Sequence, residues 1–499
     1  MLVLLILATL LAEAAIYTRW LWPYRRTFAA LLIPVVSFLA GVMLFSRLNA
    51  GAVLLLLVSV YRIINLMRLV KGRMHERYLF QAARRTSLLM GLAVGMVLIV
   101  LMVHGSLRYN ALTLIEVFAY VQLSILIVLL LIVIRNVFKS RYQSVIKYYS
   151  DKELPTLTVA IPARNETEDL EQCLHTILAS DYPKLEVIVL DDCSQDKTSE
   201  IIKKFAHDGV RFIRGAEPAE RWLAKNQAYA RLADEASGEL VLFCGVDVRF
   251  GPQAIRALVT TMLNRDKAMV SVMPKRLTSN PLEAFIQPMR YWWELALPRR
   301  MFNRPPVLST CWVIKRRALE RIGGFEAVSH NVIPEGFFAR ELTKSDDYSF
   351  IRASDVLGIQ TIKNASQQRD TAIRVRYPQV HRRPELVMLL ALAEIAIFLM
   401  PFVFLLASIW IDLGIIQTIS IASVALLIFI HVAIVYISNP ANVPLALFNF
   451  PLVVLTEVVL SHESMFKYEF SEVEWKGRNV CIPVMHITPH LPPLPADKK

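Results

Sequence analysis

Long apolar runs at both ends of the chain, bracketing a polar middle, constrain its fold most. About 20 apolar residues are needed to cross a bilayer as a helix, and residues 2–22, 28–45, 88–103 and 112–137 meet or approach that length. Residues 50–70 make a fifth run, with Arg62 inside it. The chain is polar over 138–385, then apolar again at 386–411, 414–437 and 443–460. With 55% hydrophobic and 19% charged residues, and a mean hydropathy of +0.44 over 499 residues, this is a membrane protein with a globular insert. The expected organisation is an N-terminal transmembrane region at 1–140, a globular domain at 150–383, C-terminal transmembrane helices at 384–461 and a tail at 462–499. The first run contains Ala12-Glu13-Ala14-Ala15, which imitates a signal-peptide cleavage site. No basic residues precede it and the run continues past it, so it reads as an anchor.

Basic residues orient the array. Arg25 and Arg26 follow the first run, Lys71, Arg73, Arg77, Arg84 and Arg85 the third, and Arg135, Lys139, Arg141 and Lys147 the fifth, whereas the intervening connections carry only Arg47 and Arg108. The positive-inside rule then puts the odd connections and the central domain in the cytosol, in a multi-pass protein of the cytoplasmic membrane. The +13 net charge follows largely from these juxtamembrane residues, which favour anionic headgroups. No basic stripe interleaved with exposed aromatics points to nucleic acid. Five cysteines without a CxxC pair, four of them in the cytosolic domain, are expected to stay reduced. Pro440, Pro444, Pro451 and Glu457 make the last apolar run re-entrant or interfacial, leaving the tail cytosolic.

Within the polar middle, three short β-branched runs end in acids. Residues 156–161 lead to Asn165 and Glu166, 186–190 to Asp191 and Asp192, and 239–244 to Gly245-Val246-Asp247. Each reads as a parallel strand followed by a helical segment, which puts the acids on one sheet edge, where open α/β sheets bind nucleotides. No GxxxxGK[ST] motif is present, so nucleotide recognition would not use a P-loop. Asp247 is suited to Mg2+ or Mn2+, with diphosphate oxygens and water completing the shell. Downstream, Ser345-Asp346-Asp347 precedes an expected helix at 348–353. Adjacent acids raise one pKa and suit a proton acceptor, although the same residues would also make a helix cap.

In order along the chain come Thr158 to Glu166 (TVAIPARNE), Leu190 to Thr198 (LDDCSQDKT), Lys225-Asn226-Gln227-Ala228, a strand with an aspartate, and Trp312 to Arg317 leading to Ile322-Gly323-Gly324-Phe325. This order resembles membrane-bound family 2 glycosyltransferases with the GT-A fold, in particular ceramide glucosyltransferase-like and hopanoid- or carotenoid-pathway enzymes. The resemblance covers about 157–376, with Trp475-Lys476-Gly477-Arg478 in the tail. It implies an α/β, Rossmann-like GT-A domain inserted between transmembrane helices, and inverting transfer from a nucleotide-sugar, expected to be a UDP-sugar, to a lipid or lipid-linked acceptor. Asn165, Glu166, Asp191 and Asp192 would hold the nucleoside and Lys225 the donor. Asp247 would hold Mg2+ or Mn2+, and Asp347, beside Asp346, would be the general base. Arg374 and Arg376 would clamp the diphosphate.

Three positions depart from the family pattern. Gly245 replaces the first acid of Asp-x-Asp, Ser345-Asp346-Asp347 stands for Thr-Glu-Asp, and Ile373 occupies the glutamine position of Gln-x-x-Arg-Trp. The last weighs against the alternative of a processive polysaccharide synthase. The first keeps open a catalytically silent pseudo-transferase that binds nucleotide-sugar or a partner. Residues 285–293 (FIQPMRYWW) suit either an element at headgroup level or core packing. Glu116, Glu394 and His431, inside apolar runs, either line an acceptor groove or pair between helices.

Overall fold

The structure, a computed structural model, describes residues 25–44, 111–142, 149–220, 222–277, 282–286, 288–296 and 304–480, with isolated positions within 9–16 and 59–70. The expected span at 88–103, and most of those at 2–22 and 50–70, lie outside the described residues. Among those described, Leu114–Lys139, Pro384–Ala407 and Ile415–Ser438 are long and apolar enough to cross a membrane. The last apolar run is not one straight helix: Pro440–Ala446 and Phe450–Phe470 meet at 104°. Pro444 and Pro451 each sit in a first helical turn, where a missing N–H costs nothing but where a preceding helix cannot continue.

The chain divides into two units, residues 1–122 with 380–420 and residues 123–379 with 421–499. In the first, buried Arg62 pairs with buried Glu13, Nε to Oε2 at 2.6 Å, which accounts for an arginine within an apolar run. A π-helical turn at Ile395–Leu399 breaks the regular ladder. Gln122 Nε2 donates to the carbonyls of Ala396 and Ile397 at 2.6 and 3.2 Å.

The second unit is built on a mixed seven-stranded sheet. Its strands are β1 (Leu157–Ala163), β2 (Leu185–Asp191), β3 (Val210–Arg214), β4 (Leu240–Cys244), β6 (Met269–Met273), β8 (Cys311–Lys315) and β9 (Tyr348–Arg352), in the order β3-β2-β1-β4-β8-β6-β9. Only β8 runs against its neighbours. A second sheet joins β5 (Val248–Phe250), β10 (Ile359–Thr361) and β7 (Lys275–Arg276). Alternation sorts the core: Val159, Ile161, Val187 and Val189 pack on one face of the large sheet, and Ala160, Ile188 and Leu190 on the other. Both faces are buried, as a largely parallel sheet requires. The second face holds an aromatic cluster in which Phe243 stacks on Trp312 at 4.5 Å and Tyr229 on Phe325 at 5.4 Å.

Helices α1 (Leu170–Leu178), α2 (Ala224–Glu235), α3 (Pro288–Ala296), α4 (Pro334–Lys344), α5 (Ala365–Gln379) and α6 (Phe450–Phe470) complete this unit. Pro334 opens α4 and Glu335 lies in its first turn, where the helix dipole favours an acid. The helix expected at 348–353 is instead β9. Its residues pair in parallel with β6, Met269 to Tyr348 through Met273 to Arg352, and Tyr348, Phe350 and Ile351 suit a strand better than a helix.

In α3, Trp292 is buried. Its Nε1–H donates to Nδ1 of His431 at 3.2 Å, His431 Nε2 meets Asn449 Oδ1 at 3.1 Å, and Asn449 Nδ2 donates to the Ala284 carbonyl at 3.1 Å. This segment therefore packs in the core, and His431 belongs to a bonded chain between helices. Cys173, Cys193, Cys244 and Cys311 are free thiols.

Candidate functional site

The carboxyl ends of β1, β2 and β4 bring the first group of sequence-derived residues together. Asn165 and Cys193 adopt left-handed backbone, φ 51° and 54°, and so turn two loops toward each other. The Asn165 N–H donates to Ser194 Oγ at 3.1 Å, and Gln195 N–H donates to Asn165 Oδ1 at 3.0 Å. Asp191 accepts from Ser194 N–H at 3.1 Å and from the Ser199 hydroxyl. Asn165 and Asp191 thus tie the loops together, whereas Glu166 and Asp192 face a partner from the far end of the chain. That partner is a hairpin of β11 (Glu474–Trp475) and β12 (Arg478–Asn479).

Arg478 Nη1 lies 2.7 and 2.8 Å from the two Asp192 oxygens, and Lys476 Nζ lies 3.1 Å from Glu166 Oε1. Arg164 Nε donates to the Lys476 carbonyl at 2.9 Å and so holds the hairpin from the other side. Burial raises the pKa of Asp192 and of Glu166, against the opposing pull of Arg478 and Lys476. These contacts place Trp475 to Arg478 on the globular unit, the side on which a cytosolic tail is expected.

Asp247 lies just beyond β4. The Thr361 hydroxyl donates to Oδ2 at 2.9 Å, with Lys363 Nζ at 3.8 Å from the same oxygen. Burial pushes its pKa up, but Lys363 and Thr361 outweigh this and hold it below the ordinary aspartate value. Described residues contain no group of three or more His, Cys, Asp or Glu placed to hold a metal. A hard divalent cation needs only one or two carboxylates when substrate phosphates and water supply its other oxygens. Oδ1 of Asp247, free of the Thr361 and Lys363 contacts, fits that donor set.

A cavity of about 420 Å3 is lined by Trp222, Lys225, Arg374, Trp475 and Arg478, among others. Lys225 Nζ stands 5.2 Å from the centroid of the Tyr229 ring. Desolvation lowers its pKa to about 8, against the pull of Glu335. Glu335 is buried, and its pKa is raised by desolvation in spite of Lys225. Its Oε2 has no hydrogen-bond partner among the described residues.

Arg376, two residues on from Arg374, points to the opposite face of α5. It pairs with Glu457 at 2.7 Å, both side chains buried, and lines a separate, small cavity of about 40 Å3. Arg374 and Arg376 therefore do not form one clamp.

Asp346 and Asp347 lie elsewhere. They precede β9, which runs parallel to β6, and the Asp347 carbonyl accepts from Ala268 and Met269 at the start of β6. That is the amino edge of the sheet, a strand length of about 17 Å at roughly 3.4 Å per residue from the Asp191 edge. Asp346 is exposed and paired with Lys267 at 3.0 Å. Asp347 accepts from Ser345 Oγ at 3.0 Å and faces Arg321 at 3.5 Å. The buried acid whose charge acts on Lys225 is Glu335. Its signal was the Pro334-Glu335 helix start, eleven residues before the Asp346-Asp347 pair that matched the motif by composition.

Residues 158–323, about a third of the chain, match the family Glycosyl transferase family 2. The probable glycosyltransferase YdaM of Bacillus subtilis is 28% identical over 185 residues, which is 35% of this chain and 44% of that protein. A 4,4'-diaponeurosporenoate glycosyltransferase of Staphylococcus aureus is 30% identical over 132 residues, 26% of this chain and 34% of that protein. The chain thus spans less than half the length of these curated relatives. Among solved structures, a mannosyltransferase of Pyrobaculum calidifontis in complex with GDP-Man and Mn2+ is 19% identical, covers 71% of this chain and 98% of its own, and has a TM-score of 0.41.

Proposed function

We propose that the chain is an inverting membrane glycosyltransferase that moves one sugar from a nucleotide-sugar, a UDP-sugar by the residue pattern, to a lipid acceptor at the cytosolic membrane surface. One observation carries the reading. Lys225 and Arg374 line one cavity with Arg478, which pairs with Asp192 at the carboxyl edge of the sheet, and the charges of Asp247 and of buried Glu335 act on Lys225 there, where nucleotide chemistry is expected. The relative from Staphylococcus aureus, whose name specifies a carotenoid acid, supports a lipid acceptor. The domain limits that fit this reading are a globular domain at 150–383 between membrane regions, with the tail returning to it.

Each residue has a role. Glu166 and Asp192, positioned by the hairpin, face the nucleoside, with Trp475 beside them in the cavity lining. Lys225 and Arg374 neutralise the diphosphate. Asp247 would hold Mg2+ or Mn2+, whose chemistry when bound is to stabilise charge on the departing diphosphate. Glu335 accepts the proton of the acceptor hydroxyl as that oxygen attacks the anomeric carbon. Desolvation keeps its pKa above the ordinary value, and so strengthens it as a base.

The test is transfer by purified protein in lipid extract, with a panel of nucleotide-sugars and either metal, comparing wild type with Asp247→Asn and Glu335→Gln. A labelled lipid lost in both variants supports the reading. Turnover that survives Glu335→Gln would remove that residue from its role, and absence of turnover with every donor would remove the activity.

A further inference from the structure

The smaller cavity shares no lining residue with the donor cavity, and three arginines give it an unusual character. Arg276 is held by Glu283 at 3.5 Å and by a hydrogen bond to the Lys363 carbonyl. Arg376 is held by Glu457 at 2.7 Å. Arg290, on α3, has no carboxylate within 4 Å among the described residues. In all three the Nε–H is buried and finds no acceptor among the described residues. Nearby Gln368, 7% exposed, likewise leaves Oε1 unmatched.

Each orphaned buried donor destabilises the fold, and a buried guanidinium without a counter-ion does so more strongly. Donors of this kind converging on one cavity call for a ligand with several anionic oxygens, because guanidinium groups bind carboxylate and phosphate in a forked geometry. The cavity is not uniformly polar. Ile286, Leu308 and Val375 also line it, and Leu282, just before Ile286, is 63% exposed. A charged floor with an apolar wall suits a headgroup attached to an acyl or prenyl chain.

We propose that the cavity bounded by Arg276, Arg290 and Arg376 binds an anionic headgroup, a phosphate or carboxylate that the lipid acceptor carries in addition to the hydroxyl that receives the sugar. This rests on the reading of the larger cavity as the donor site, and it names the class of acceptor that the reading left open. Asp247 and Lys363 line the same cavity, so a headgroup bound there lies beside the residue assigned to the donor diphosphate. Of the three arginines, Arg290 is the informative probe, because it supports no carboxylate pair.

The test reads binding separately from turnover. Full-length protein in neutral detergent would be titrated with dodecyl phosphate, dodecanoate, dodecanol and inorganic phosphate, with thermal midpoint and tryptophan fluorescence as readouts. The two anionic lipids report which source of the anion is preferred. At least one should bind ten-fold or more tightly than dodecanol and than inorganic phosphate. Arg290→Gln should abolish that preference while UDP or GDP binding is unchanged. Should Arg290→Gln fail to fold, Arg290→Lys keeps the charge but loses the fork, and is expected to weaken anionic-lipid binding several-fold with nucleotide binding intact. Equal affinity for dodecanol and the anionic lipids, equal affinity for inorganic phosphate, or no effect of either variant would overturn the proposal. Donor hydrolysis measured in parallel tests the transferase reading alone: its absence with every nucleotide-sugar, beside an intact anionic preference, would overturn that reading and leave the acceptor site standing.

Discussion

The carboxylate of Asp247 folds back over the bare Cα of Gly245, so that a β-carbon at residue 245 would stand 2.4 Å from Asp247 Oδ1. The position that carries an acid in the family pattern is here the space into which the remaining acid rotates. That rotation directs Oδ2 to the Thr361 hydroxyl. Gly245 is therefore part of how Asp247 is aimed, and restoring an acid there would not simply add a second one.

Gly245→Ala and Gly245→Asp should both push Asp247 off its present rotamer. Because the atom displaced is the end of a side chain, the fold should survive, with a thermal midpoint within a few degrees of wild type. Transfer should fall about ten-fold or more, roughly 1.4 kcal/mol of barrier. Full activity in Gly245→Asp would show that the aim of Asp247 does not matter.

Glu335→Gln should reduce kcat by about 100- to 10,000-fold, the range for loss of a general base, with the donor KM little changed. Asp347→Asn, at the other edge of the sheet, should stay within about two-fold of wild type, as surface changes usually do. Steady-state kinetics on the two variants side by side would decide between the acids; the opposite ranking would return the base to Asp347.

The pH dependence should be bell-shaped. Glu335 must be ionised, and desolvation sets its pKa above the ordinary 4.5. Lys225 must be protonated, and desolvation brings its pKa to about 8. Rate should rise above the ordinary glutamate range and fall through about pH 8, and Lys225→Arg should move the falling side to higher pH. Stability changes with the opposite sign on that side: between about 8 and 10.5 the unfolded chain holds the Lys225 proton that the folded chain has lost, so this group makes folding more favourable as pH rises. Glu335, raised in the folded state, makes folding less favourable as pH rises through its own window. An unshifted alkaline side in Lys225→Arg would separate that residue from the rate.

Arg478→Gln removes the cation from buried Asp192 and Lys476→Gln the one from Glu166. Each should weaken nucleotide binding by about ten-fold, and the effect should appear in the donor KM more than in kcat, since both cations position acids assigned to the nucleoside. Calorimetric titration with UDP and GDP would check this; unchanged affinity in both variants would make the hairpin a structural strap only.

Arg376→Met should destabilise the fold by about 3–5 kcal/mol, because it leaves Glu457 buried without its counter-ion. Arg376→Met combined with Glu457→Leu should recover most of that loss. Denaturation midpoints of the two proteins give the comparison, and equal losses in both would refute the pairing as the cause.

How much was legible in the sequence depended on whether the signal was local. The apolar runs and the strands at Leu157–Ala163, Leu185–Asp191 and Leu240–Cys244 could be read because composition and β-branching act over a few residues. Asp192 and Asp247 could be placed because each closely follows such an element, whereas Lys225, within Ala224–Glu235, was indicated only by the family resemblance. Asp346 and Asp347 could not be placed because two adjacent acids look alike whether they approach a substrate or end a loop; only the parallel pairing of Tyr348–Arg352 with Met269–Met273 fixes the edge on which they fall. The Pro334-Glu335 helix start marks a helix, but nothing beside Glu335 in sequence marks it as a site residue. Its environment comes from Lys225 and Arg290 on other elements. Lys363 and the Lys476–Arg478 contacts were hidden for the same reason.

The bond between Asp192 and Arg478 joins residues 286 positions apart. In the order of synthesis, the loop that carries Asp192 is made before the helices Pro384–Ala407 and Ile415–Ser438, and the hairpin that neutralises it only after them. A nascent chain therefore passes through a stage in which its globular domain is assembled but its nucleotide-facing acids lack their cations. On the proposed reading, completion of the donor site therefore waits on the synthesis of those two helices, although they supply none of the cavity's lining.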